Sequence, residues 1–147
     1  MNVEENNLIS TFYLGESIWG LDTLDAQEVI RVPEITKVHN ADEYIVGIIN
    51  LRGRIVTVVD LSSKLKLEEA VITDRSRIII VKWNDDFVGL LIDSISDVIN
   101  MESEYVTAPP ASMRGTQGEG FIDNVYQAGE QLIPILKIDA VLEEKEG

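Results

Sequence analysis

The chain repeats itself. Moved along its own length by 69 positions, Thr11–Val32 (TFYLGESIWGLDTLDAQEVIRV) lies without a gap on Ile80–Met101. Gly15-Glu16-Ser17 falls on Asn84-Asp85-Asp86, Gly20-Leu21 on Gly89-Leu90, and Glu28-Val29-Ile30 on Asp97-Val98-Ile99. A second match places Gly47-Ile48-Ile49 on Gly120-Phe121-Ile122 and Ile55–Leu65 on Leu132–Leu142, with a hairpin about four residues longer in the second copy. Each half therefore reads strand, turn, strand, strand, hairpin, short helix. Two copies are too few for a solenoid, which needs at least three. Two small, similar barrels packed together fit this pattern.

The unit is built from short apolar blocks rich in Val and Ile: Leu8–Leu14, Ile18–Leu21, Tyr44–Leu51, Ile55–Val59, Ile78–Trp83, Phe87–Ile92, Gly120–Tyr126 and Leu132–Ile138. Blocks of this length and composition read as strands. Gly15-Glu16-Ser17, Arg52-Gly53 and Asn84-Asp85-Asp86 read as hairpin turns. Leu61–Leu67 and Ile138–Lys145 read as short helices, the first capped by Asp60 or Ser62 and the second by Asp139. Glu68–Arg75 and Thr107–Glu119 read as loops, the latter holding Pro109-Pro110, Gly115 and Gly118 just ahead of Gly120. The fold class is mainly β, a barrel or sandwich with short helices. The expected core includes Ile55, Val59, Ile79, Val81, Leu90, Ile92, Val98 and Leu132.

Composition narrows the function. The 147 residues carry a formal charge of −14 and no Cys. A phosphate backbone or an anionic membrane surface needs clustered Lys and Arg, so neither is an expected partner. Without Cys there is no disulfide, thiolate metal site or Cys nucleophile, and the single His39 precludes a multi-histidine centre within one chain. The acidic start MNVEENN lacks the basic region of a signal peptide. No apolar run approaches the ~20 residues that cross a bilayer. A soluble cytoplasmic protein is expected, with Met1 and the acidic Glu143–Gly147 as its natural ends.

Few residues suggest catalysis. Asp85 and Asp86 sit on an expected turn tip, where carboxylates are solvated. Asp22 and Asp25 follow a strand end. A small hydrolase or ligand-binding module using Asp22, Asp25 or Asp97 would need a carboxyl with a raised pKa in a cleft. His39 has no Ser or Cys placed beside it in sequence. No phosphate-binding glycine loop occurs, and Trp19 and Trp83 lie inside strand blocks, where aromatic rings are usually core. No cofactor is called for.

The specific signal is Tyr44-Ile-Val-Gly-Ile-Ile-Asn50-Leu51-Arg52-Gly53-Arg54-Ile-Val-Thr-Val-Val-Asp60-Leu61. Locally it is a tight hairpin, with Gly53 able to adopt positive φ in a two-residue turn. On a regular strand Ile45, Gly47, Ile49 and Leu51 face one way and Val46, Ile48 and Asn50 the other. Arg52, at the strand end, could reach a carboxylate with its planar fork, or stand as an ordinary surface arginine.

This stretch resembles the signature of the CheW family of chemotaxis coupling proteins, a G-x-x-N-L-R-G run followed by D-L. Gly47, Asn50, Leu51, Arg52, Gly53, Val56, Asp60 and Leu61 match, while Thr57 stands where the family commonly has Pro. The likeness extends over Leu8–Leu142 and includes Ala26–Ile30 and Pro109-Pro110. It implies two intertwined SH3-like barrels of about five strands each. It implies one domain over 8–142, with approximate halves 11–67 and 78–142, exchanged strands, and tails at 1–7 and 143–147. It implies a non-enzymatic adaptor that couples the cytoplasmic tip of methyl-accepting receptors to the regulatory domain of the histidine kinase CheA, recruited to membrane receptor arrays without inserting. By position, Glu28 and Arg52 match an acid–base pair at the receptor-facing groove, and Gly47, Asn50 and Gly53 match the hairpin that shapes it. Ile95, Val98 and Ile99, as repeat counterparts, are expected on the opposite wall. The kinase is expected at the tip Gly15-Glu16 and at exposed Val46 and Ile48.

Overall fold

The strands form because every apolar block alternates in register against a partner. A computed structural model describes residues 7–109 and 119–143. Eleven strands are resolved among them. They are β1 (Leu8–Leu14), β2 (Ser17–Asp22), β3 (Ala26–Arg31), β4 (Ile45–Leu51), β5 (Arg54–Asp60), β6 (Arg77–Trp83), β7 (Asp86–Ile92), β8 (Ser94–Asn100), β9 (Val106–Thr107), β10 (Ile122–Ala128) and β11 (Gln131–Leu136). Helix α1 (Leu61–Lys64) follows β5 and α2 (Ile138–Leu142) follows β11. Both helices are shorter than the sequence suggests. Asp60 does cap α1, its Oδ1 accepting from the Ser63 amide at 3.3 Å. Lys137, not Asp139, occupies the start of α2, without a side-chain cap.

The 69-residue offset carries β1 onto β6, β2 onto β7 and β3 onto β8. Pairing, however, crosses between the copies. One sheet runs β8-β1-β2-β11-β10-β9 and the other β3-β6-β7-β5-β4. Each sheet thus takes its first two repeat strands from one half and its remaining strands, four in the first sheet and three in the second, from the other half. Of the junctions between halves, β1 with β8 and β3 with β6 are antiparallel, while β2 with β11 and β5 with β7 are parallel: Ile135 lies beside Gly20, and Val58 beside Gly89. The two glycines are repeat equivalents, and both sit where a side chain has no room. A Cβ on Gly20 would lie 2.8 Å from Ile135 Cδ1, and one on Gly89 2.6 Å from Ile78 Cγ2.

The structure realigns the second repeat match. Ile45–Leu51 corresponds to Ile122–Ala128, since both strands bulge at their second and third residues, between Ile45 and Gly47 and between Ile122 and Asn124. Both hairpins close through two-residue turns, so neither is longer. The extra length of the second half lies earlier, in the connection 101–121 against 32–44. Most of the Thr107–Glu119 segment, with Pro110, Gly115 and Gly118, lies outside the described residues. The equivalent tips differ in type. Asn84 and Asp85 both have positive φ, whereas in the first copy Gly15 alone does, the patterns of I′ and II′ turns.

Three apolar clusters fill the fold. Ile49, Val56, Val58, Ile78, Ile80 and Leu91 fill one sheet's concave side, and Ile9, Tyr126, Ile133 and Ile135 the other's. The largest lies between the sheets and includes Phe12, Trp19, Leu21, Ile79, Val81, Leu90 and Ile92. Alternate residues of β6 therefore enter different clusters, which is why RIIIVKW is apolar without alternation. Each sheet's outer strands face each other: Ile99 of β8 and Val106 of β9 share one cluster, and Ile30 of β3 and Val46 of β4 another. The sheets curl accordingly into two small barrels.

Val59, Ile79, Val81, Leu90 and Ile92 are buried. Ile55, Val98 and Leu132 are not, at 58%, 59% and 47% exposure. Ile55 and Leu132 are equivalents at the second position of their strands, on a face that is buried only further along, at Val59 in β5 and from Pro134 in β11. Val98 points outward from β8, the outer strand of its sheet.

Candidate functional site

The N-L-R-G hairpin is held by its own side chains. Arg52 and Gly53 both take positive φ (52° and 84°), and the Asn50 Oδ1 accepts from the Gly53 amide at 2.9 Å. Upstream, Gly47 is the one residue that admits the passing 35–36 segment. Thr36 and Ile48 exchange backbone hydrogen bonds of 2.9 and 2.8 Å, and a Cβ on Gly47 would lie 2.3 Å from the Thr36 carbonyl oxygen. That bridge and the bulge beside it fix the angle at which β4 delivers its turn.

The turn aims Arg52 at Glu28. Nη2 donates to Oε1 at 2.6 Å and Nη1 to Oε2 at 3.1 Å, a two-pronged contact between opposite edges of the sheet. A bulge in β3 between Ala26 and Glu28 sets the carboxylate there. The Arg52 hydrogen bonds hold the Glu28 carboxyl below its usual range, and Glu28 in turn raises the guanidinium. The pair is accessible, with side-chain exposures of 68% for Arg52 and 34% for Glu28. It is the only ion pair among the described residues. It presents a pre-ordered guanidinium and carboxylate to whatever covers this face.

The other residues singled out in the sequence scatter. Ile95 and Val98 stand exposed on the same outer face of β8, because a bulge opposite Thr11 places them three apart rather than two. Ile99 turns inward and packs against the Ile9 and Ile133 cluster, so it offers little surface. Val46 and Ile48 are only partly exposed, and Val46 packs toward Ile49 and Val56. The bulge at Ile45 turns Val46 inward, and Ile48, past the bulge, pairs with the passing Thr36. Gly15 and Glu16 do not lie apart from the β8 face. They line one cavity of about 620 Å³ with Tyr13, Ser94, Ile95 and two arginines, Arg75 and Arg77. The arginines went unremarked in the sequence; two guanidinium groups two residues apart in so acidic a chain were the available signal.

The carboxylate candidates also separate. Asp85 and Asp86 are exposed at their tip. Asp25 has a raised pKa, through partial burial first and then the charges of Asp22 and Asp139, and these three share a small cavity with Lys137 and Asp123. Asp97 is exposed on β8 and does not line it. Among the described residues no three His, Asp or Glu side chains are grouped so as to hold a metal ion. No described helix is long and apolar enough to cross a membrane.

Known proteins agree with this architecture. The model of the CheW-like domain matches residues 9–146. The chemotaxis protein CheW of Treponema pallidum is 30% identical over 150 residues, covering 99% of this chain and 87% of the relative. CheW of Bacillus subtilis is 32% identical over 135 residues, covering 91% and 85%. The crystal structure of the scaffolding protein TtCheW from Thermoanaerobacter tengcongensis superposes with a TM-score of 0.87 at 31% identity, over 97% of this chain and 92% of that one. Nothing in these likenesses supports an acid-using hydrolase at Asp25. With the repeat-exchanged sheets, the Asn50–Gly53 hairpin and this match over nearly its whole length, the chain belongs to the CheW family.

Proposed function

We propose that this chain couples the helical tip of chemotaxis receptors to the regulatory domain of a CheA-type histidine kinase. Membership of the CheW family makes it a chemotaxis scaffold and not an enzyme; the two named partners are the reading argued here. The observation that carries it is the accessible Glu28–Arg52 pair on the N-L-R-G hairpin. A surface pair contributes little to folding while water surrounds it. Once a partner excludes that water, the same charges become costly to leave unmatched. Exposed Val29 beside Glu28, and Ile95 and Val98 on the repeat-equivalent strand, add apolar anchors of the kind a helix-in-groove contact uses. In this reading the protein is cytoplasmic and reaches receptor arrays through its partners, and the kinase meets a separate face that includes the partly exposed Val46 and Ile48.

Pull-down with a receptor-tip hairpin and a CheA regulatory domain tests this. Each should be retained alone, and both together. Retention of neither, or strict competition between the two, would remove the coupling role.

A further inference from the structure

Arg75 and Arg77 converge where the strand topology has no need of them. Arg77 opens β6 and Arg75 ends the preceding loop, while Tyr13, Gly15 and Glu16 come from the β1–β2 hairpin and Ser94 and Ile95 from the start of β8. The Asp93 Oδ2 accepts from the Gly15 amide at 2.5 Å, which ties that hairpin to β8 and holds the cavity's rim together. Arg77 Nη1 donates to the Asp74 and Ser76 carbonyls at 2.9 and 2.8 Å, so this guanidinium is oriented by backbone. Among the described residues no carboxylate lies within 4.0 Å of either guanidinium, since Glu28–Arg52 is the only ion pair there. Glu16 lines the cavity, Asp93 stands at its rim, and Glu68 and Glu69 share the adjoining cavity with Arg75, so the two guanidinium groups lie among acids without being paired to them. The cavity thus supplies two planar forks with no carboxylate bound to them, and Tyr13 and Ser94 line it with them, residue types whose donors suit a carboxylate.

We infer that this cavity receives an acidic side chain of the receptor's helical tip. The inference rests on the coupling function proposed above and extends its contact surface. Two guanidinium groups without a bound carboxylate select the group. The place selects the source: Ile95 forms the cavity wall and begins the exposed Ile95–Val98 face. A helix lying on that face runs past the arginines at its end. Glu16 opposes the incoming carboxylate and sets how strongly the site holds it.

Binding of a soluble receptor-tip hairpin, measured by calorimetry at two salt concentrations, tests this. Arg75→Gln is the informative variant, because its guanidinium makes no hydrogen bond within the described residues. It should weaken binding by about threefold to tenfold and flatten the salt dependence. Glu16→Gln should strengthen binding by about twofold to threefold, which a merely structural role would not produce. Melting midpoints of both variants should match the parent. Unchanged affinity in both, with Arg52→Asn still weakening binding, overturns the carboxylate site and leaves the coupling function standing. A parent chain that binds no receptor hairpin overturns both.

Discussion

Arg52 shows how a residue can be conspicuous in structure and nearly silent in stability. Its φ of 52° is one that asparagine tolerates better than most side chains, so Arg52→Asn removes the guanidinium without straining the turn. The pair it makes with Glu28 is solvated, and the melting midpoint should move by no more than about 2 °C. Receptor-tip affinity should fall by about tenfold or more in Arg52→Asn and in Glu28→Gln, with kinase-domain affinity less affected. A lost fold with unchanged receptor affinity would make the pair structural. Because the folded pKa of Glu28 is lowered, the small stabilisation is present above its ordinary value of 4.5 and is lost as pH falls through the lowered one. The stability difference between parent and Arg52→Asn should therefore vanish in acid. Asp25 has the opposite sign. Its pKa is raised above 3.8 by burial and by Asp22 and Asp139, so its ionised form opposes folding at neutral pH, and that opposition fades as pH falls through the raised value. Asp25→Asn should raise the melting midpoint at pH 7, and the gain should shrink toward pH 3.8. An Asn variant that melts lower at pH 7 would mean the carboxylate has a favourable partner.

At the scale of the strand, burial on one face or two decides what a substitution costs. Leu90 of β7 is fully buried between the sheets, and Leu90→Ala should cost roughly 2–5 kcal/mol in chemical denaturation. Ile55 of β5 is more than half exposed, and Ile55→Ala should cost under about 1 kcal/mol. Similar losses in the two would contradict the register. These two residues also show where the sequence was legible. Short Val- and Ile-rich blocks identify strands whatever covers them, and the repeat of turn and glycine positions located β1–β3 and β6–β8 correctly. The blocks do not say which residue lies under the opposite sheet, so Ile55, Val98 and Leu132 read as core as readily as Leu90 does. Alternation fails too wherever a bulge inserts a residue, which is how Val46 came to pack inward. The Glu28–Arg52 pair came from resemblance, since residues so far apart in sequence carry no local sign of meeting. The Arg75–Arg77 cavity was invisible for the same reason: three distant segments build it.

The whole molecule is governed by the exchange between its halves. The repeat unit in sequence is not the sheet in space, because β11 crosses to β2 and β5 crosses to β7. A first half alone keeps β1-β2 and β3-β4-β5 but lacks β6 and β7, which lie between β3 and β5 in the sheet. Its strand β3 then has no partner, and Val56 and Val58 lose Ile78, Ile80 and Leu91, with which they fill one barrel. The second half is cut in the corresponding way, β8 parted from β1 and β11 from β2. Neither fragment can bury its apolar strands, and unpaired edges of that kind invite association. Chain cleavage in the loop 68–75, which lies outside the sheets, should therefore give two fragments that are unfolded or aggregated alone. Mixed from denaturant, they should regain the native β-sheet circular dichroism and melt in one concentration-dependent transition, since assembly then couples folding to association. The uncut chain should also unfold in a single transition, because no barrel can be lost without breaking the other. Two fragments that each fold as monomers, or two resolved transitions in the intact chain, would show that each half holds together without the other's strands.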